Sequence, residues 1–153
     1  MRKRTRSREF ALQVLYQIDL TRGPADEALR AFWEERKDVS LPADERSVIE
    51  ESKRDEEVRQ YTEVLVNGTL EKLSVLDALI ERFAENWAIG RMAYVDRNIL
   101  RLASYEMIFL DEIPLKVAIN EAVELAKRYG EPDSSKFVNG ILDKIAKTEC
   151  SKK

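Results

Sequence analysis

The chain has 153 residues, 44% hydrophobic and 36% charged, with only 5 Gly and 4 Pro, a balance that favours amphipathic helices over a sheet-rich fold. It has no histidine and one cysteine, Cys150, which excludes a Ser-His-Asp triad, the usual zinc ligand sets and an internal disulfide. The formal net charge of -3 hides an asymmetry, because Arg2, Lys3, Arg4, Arg6 and Arg8 come with no acid among the first eight residues and leave -8 on the remainder. An acidic body repels polyanions in general, so a nucleic acid would have to be met at a local patch.

The first helix is expected from about Ser7 to Leu20, with Phe10, Ala11, Val14, Leu15 and Ile18 on one face. Arg6, Arg8, Gln13, Tyr16 and Gln17 fall off that stripe. Gly23-Pro24 closes it and opens a second helix with Ala28, Leu29, Phe32 and Trp33 inward. Asp38–Glu57 is acidic and poor in aromatics, and it reads as an exposed insertion grading into a helix start. A third helix follows, marked by Val58, Tyr61, Leu65, Leu70 and Leu73. Ser74 and Asp77 have capping-box spacing for a fourth, which carries Leu76, Leu79, Ile80, Phe83 and Trp87.

The fifth helix, about Arg91 to Leu110, has only Arg101 and Glu106 charged between Ile99 and Leu110, so it belongs at the centre of a bundle. An interhelical ion pair or polar network is the expected role of those two, since either one buried alone is costly. Pro114 opens the sixth helix, whose inner stripe is Ala118, Ala122, Leu125, Ala126 and Tyr129. Gly130 and Pro132 stop it. The seventh starts near Asp133 or Ser134 and buries Val138, Ile141, Leu142 and Ile145. Gly140 costs this helix about 1 kcal/mol relative to alanine, which suggests close packing against its backbone. The sum is an all-α protein, a bundle of about seven helices forming one domain over 1–153, with a basic arm at 1–8 and an acidic insertion at about 38–57.

Two features carry function. The arginine-rich start suits phosphate, because a guanidinium offers a rigid fork of donors and also stacks on bases. Five phosphate contacts on a single strand would give log K against log salt a slope of about -3.5. The second feature is the corner Tyr129-Gly130-Glu131-Pro132-Asp133-Ser134-Ser135-Lys136-Phe137. Asp133 and Ser134 can hydrogen-bond a base edge, Lys136 can meet phosphate, and Phe137 can stack on a base. The plainer reading makes Asp133 or Ser134 a helix cap and Phe137 a core residue.

These motifs resemble the NusB family of bacterial transcription antitermination factors. The likeness rests on Asp96-Arg97-Asn98-Ile99-Leu100-Arg101-Leu102-Ala103, Tyr105-Glu106, Ile113-Pro114, Val117-Ala118-Ile119-Asn120-Glu121-Ala122, Ala126-Lys127 and Lys136-Phe137-Val138-Asn139-Gly140. It extends more loosely to Arg8-Glu9-Phe10-Ala11-Leu12-Gln13-Val14-Leu15-Tyr16. The resemblance implies two three-helix halves sharing a core and binding without catalysis, metal or cofactor. It also implies, as ligand, the boxA element of ribosomal RNA leader transcripts and, as partner, the ribosomal protein NusE, and through them RNA polymerase and other Nus factors. The RNA contacts implied here are Arg4, Arg6, Arg8, Tyr16, Asp133, Ser134, Lys136 and Phe137, with Asp96 towards the protein partner.

Two alternatives stand beside this reading. One is the helical front of a ribosomal RNA cytosine methyltransferase, which would need a cofactor-binding domain and a catalytic cysteine that this sequence does not offer. The other is a protein-only module or homodimer that uses its basic arm on acidic surfaces. The apolar runs fall short of the ~18 residues of a bilayer span and the start is too charged for a secretory signal, so a cytoplasmic location is expected.

Overall fold

The computed structural model of the protein describes residues 2–36, 45–85 and 87–150, the side chains of 45–52 excepted. Among the described residues, seven α-helices and a short 3-10 turn make up the regular structure, and no strand occurs. The chain divides into two compact units, Met1–Asn67 and Gly68–Lys153.

The first unit holds α1 (Lys3–Thr21), α2 (Ala25–Glu35) and α3 (Glu45–Glu71) as far as Asn67. The apolar stripe of α1 buries Ala11, Leu12, Val14, Leu15 and Ile18, as its spacing predicts. Arg22, in the left-handed conformation (φ 62°), closes the helix by donating its N–H to the Ile18 carbonyl. Pro24 occupies the cap position of α2, whose first turn carries Asp26 and Glu27, the charges favoured at that end of a helix dipole.

α1 starts at Lys3 rather than near Ser7, so the basic run is helical instead of forming a separate arm. Contacts from α3 account for the extra turn. Buried Ser7 donates its hydroxyl to the Val58 carbonyl at 2.9 Å, the Arg4 guanidinium lies 4.1 Å from the Tyr61 ring centroid, and Lys3 pairs with Glu57. That pairing holds the exposed Glu57 carboxyl below its usual range. The first turn of α1 contains no acid, so its cations sit at the end of the dipole that repels them.

The acidic insertion also differs from its expected form. α3 begins at Glu45, so 45–57 is helical, while 37–44 lies outside the described residues. α3 buries Val58, Thr62, Leu65 and Val66, the two valines and the leucine falling at helical spacing.

The second unit holds the end of α3, then α4 (Leu73–Phe83), the 3-10 turn Ile89–Arg91, α5 (Tyr94–Phe109), α6 (Leu115–Tyr129) and α7 (Ser134–Glu149). α5 packs against α4, α6 and α7, the central position predicted by its nearly uniform apolar surface. Ile99, Leu100, Leu102 and Met107 are buried within it. The Arg101 guanidinium reaches across to α4 and donates to both Asp77 carboxylate oxygens, at 2.7 and 2.9 Å. Asp77 is therefore an ion-pair partner and not part of a capping box, and α4 starts earlier, at Leu73, with no side-chain cap. Trp87, expected on the inner face of the fourth helix, lies beyond α4 and is 51% exposed. Tyr129, expected on the inner stripe of α6, is exposed.

Two glycines behave oppositely, and this gives a paired prediction. A Cβ on Gly68 would sit 2.1 Å from the Tyr105 ring, which itself stacks on Phe109 at 5.7 Å. Gly140, expected to face a close neighbour, has nothing within 4 Å of such a Cβ and lies exposed on α7. Gly140→Ala is therefore expected to stabilise by about 1 kcal/mol through helix propensity alone. Gly68→Ala gains the same propensity, but it forces the Tyr105 ring aside at about 1–3 kcal/mol and comes out neutral or destabilising. Urea unfolding of the two single variants checks the contrast, which equal midpoint shifts would refute.

Candidate nucleic-acid interface

In the second unit the site is built on the corner between α6 and α7. Gly130 ends α6 in an extended conformation, where a Cβ would meet the Ser134 side chain at 2.6 Å and the Ala126 carbonyl at 2.8 Å. Glycine is thus required by the close approach of the two helix ends. The Ser134 hydroxyl accepts from the Glu131 N–H at 2.9 Å, and the Ser134 N–H donates to the Glu131 carbonyl at 2.9 Å. Ser134 is only 3% exposed and locks the turn from inside. Asp133 precedes α7 and makes no side-chain cap bond, which leaves its exposed carboxylate for other donors.

Phe137, one turn into α7, is half-buried and meets Trp87 edge to face, with ring centroids 6.2 Å apart and planes at 70°. The two rings line a cavity of about 270 Å³ together with Met92, Ala93, Asp96, Glu131, Asp133 and Ser134. The Asp96 Oδ1 atom is buried with no hydrogen-bond partner among the described residues. Lys136 is exposed on the first turn of α7, outside that lining. Rings, an unspent acceptor and acidic walls suit a planar group bearing amino donors, and the same carboxylates repel phosphate.

The predicted residues of the first unit all lie on α1. Arg4 and Arg6 are exposed, whereas Arg8 is 3% exposed, inside and 6.0 Å from the Tyr61 ring centroid. Helical geometry explains the difference in exposure: Arg4 and Arg8 are four residues apart on the face towards Tyr61, and the second is covered. Tyr16 is half-buried. Sequence reasoning missed Trp87 as a cavity-lining residue because it continued the apolar spacing of α4. The signal against that spacing was Gly90, which limits how far the helix can run.

Fold and site together define an all-helical recognition protein with exposed guanidinium groups and a ring-bearing, acceptor-lined cavity. The chain belongs to the NusB family, whose model matches residues 5–147. It is 47% identical over 144 residues to the transcription antitermination protein NusB of Anaeromyxobacter sp. (strain Fw109-5), covering 94% of this chain and 90% of that protein. The solved T. maritima NusB is 36% identical, with a TM-score of 0.76 over 99% of this chain and 94% of that one. A crystal structure of antitermination factors NusB and NusE in complex with double-stranded RNA is 30% identical in the matching chain, with a TM-score of 0.77 over 96% of this chain and 98% of that one. The family is one of transcription antitermination factors and not of enzymes. No helix among the described residues is long and apolar enough to cross a membrane.

Proposed function

We propose that the chain binds boxA RNA of ribosomal RNA leader transcripts together with NusE, in the cytoplasm, and so helps assemble an antitermination complex with RNA polymerase and other Nus factors. The observation that carries this reading is the Trp87–Phe137 pair over a cavity with an Asp96 oxygen that has no hydrogen-bond partner among the described residues. A base entering there stacks on a ring face and gives its amino protons to Asp96 or Asp133, while its phosphates stay outside the acidic lining. Arg4, Arg6 and Lys136, all exposed, take the phosphates. Arg8 and Ser134 act from inside, holding α1 and the corner in shape. Tyr16 remains a proposed RNA contact on α1. Asp96 lies on the cavity wall and at the start of α5, and there NusE would approach the bound RNA. The related NusB–NusE complex supports both partners.

The test is co-precipitation of purified NusE with the immobilised protein, with and without single-stranded boxA RNA and a duplex of the same sequence. NusE should be retained, and more of it with the single strand, because stacking needs an unpaired base. With Arg8 covered, the N-terminal turn offers four cations, so its share of the salt slope of RNA binding should be no steeper than about -2.8. Absence of NusE retention and of RNA binding would overturn the proposal.

A further inference from the structure

The outer face of α1 and the neighbouring α2 form a second polar surface, of which the reading above uses only Arg6. Arg6, Phe10, Gln13 and Gln17 recur at intervals of four, three and four residues, which places them along one side of α1. That side opens onto a groove of about 530 Å³, lined by Gln13, Gln17 and Thr21 from α1 and by Ala28, Phe32 and Arg36 from the α2 side. Phe32 on its wall packs edge to face with Phe10 and Trp33, and those two pack with each other, with centroids 5.0 to 5.8 Å apart.

Two guanidinium groups ride on Phe10 and Phe32. Arg36 lies 3.7 Å from the Phe32 centroid and 5.1 Å from that of Phe10, and Arg6 lies 5.6 Å from that of Phe10. Arg36 Nη2 also donates to Gln13 Oε1 at 2.8 Å. Both arginines are exposed, and neither pairs with a carboxylate among the described residues. A guanidinium lying on a ring keeps its charge and holds its planar fork in a fixed direction, which is the arrangement that captures a phosphate. The Gln13 oxygen is taken by Arg36, so its amide hydrogens remain for a base carbonyl. Glu27 and Glu35 on the groove wall repel phosphate and offer acceptors for base amino groups.

We infer that Arg6 and Arg36, seated on Phe10 and Phe32, form a second nucleotide-binding surface that takes single-stranded RNA continuing beyond the boxA contacts. The choice of RNA over an acidic peptide follows from the layout: cations on the ring faces, amides and carboxylates along the groove, matching phosphates on the first and base edges on the second. Shared use of Arg6 makes this surface continuous with the proposed phosphate contacts of α1. The inference rests on the RNA-binding proposal.

The test is fluorescence anisotropy with two RNAs, one limited to boxA and one extended by unpaired nucleotides on both sides, each titrated across a salt series. The native protein should bind the extended RNA more tightly and with a steeper salt slope. Arg36→Gln should flatten the slope on the extended RNA by about 0.7 and leave binding of the short RNA unchanged. Circular dichroism of this surface variant should match the native protein, which separates loss of contact from loss of fold. Tight binding of both RNAs with no effect of Arg36→Gln overturns this inference alone. Failure of the native protein to bind either RNA overturns it together with the proposal beneath it.

Discussion

Asp77→Ala is expected to lower unfolding stability by about 3 kcal/mol, the low end of the cost of stranding one partner of a buried ion pair. Arg101 is 8% exposed, and its Nε and Nη2 donate to the two Asp77 oxygens while Nη1 donates to Asn98 Oδ1 at 3.1 Å. Removing the carboxylate leaves a cation between α4 and α5 with much of its hydrogen bonding unmet. Asp77→Asn preserves the shape and one acceptor, so its loss should be smaller. The double variant Asp77→Ala with Arg101→Met removes the stranded charge and should recover part of the loss. The measurement is the urea midpoint of the four proteins. Since whole domains are stable by about 5–15 kcal/mol, the single variant should be plainly weakened. Equal stability of Asp77→Ala and the native chain would show that this pair contributes nothing.

The second large effect concerns binding. Phe137→Ala removes one of the two rings of the cavity and should weaken RNA binding by about 1–3 kcal/mol, roughly 5-fold to 150-fold. Phe137 is half-buried and makes its ring contact with Trp87, so the α5–α7 packing built on Val138, Ile141 and Leu142 survives its loss. Filter binding with boxA RNA in the presence of NusE reads the affinity, and circular dichroism reads the fold. Phe137→Tyr keeps the stacking face and should stay close to native. Unchanged affinity in Phe137→Ala would take the corner out of the site.

The helices were legible because burial imposes a period that composition alone does not hide. α5 is the clearest case, its apolar surface requiring neighbours on several sides. The corner was legible too, since Gly130 and Pro132 punctuate the chain regardless of tertiary context. The misreadings share one cause, which is contact with residues distant in sequence. Ser7 and Arg4 extend α1 because Val58 and Tyr61 lie across from them. Asp77 has the spacing of a cap, but a bidentate arginine is the stronger partner. Gly140 invited a packing explanation that its open surroundings do not supply, and nothing in the structure explains the glycine there. The groove beside Phe10 and Phe32 escaped notice because Arg36 is 30 residues from Arg6 in sequence.

The cations opening α1 give the free protein a self-repelling end. Neutralisation by the proposed phosphate contacts would lift that penalty, so part of the affinity would come from a turn becoming quieter as its ligand arrives. Backbone amides of the residues just after Lys3 should then exchange their hydrogens more slowly in the complex than alone. Recognition and local order would be two readings of one electrostatic balance.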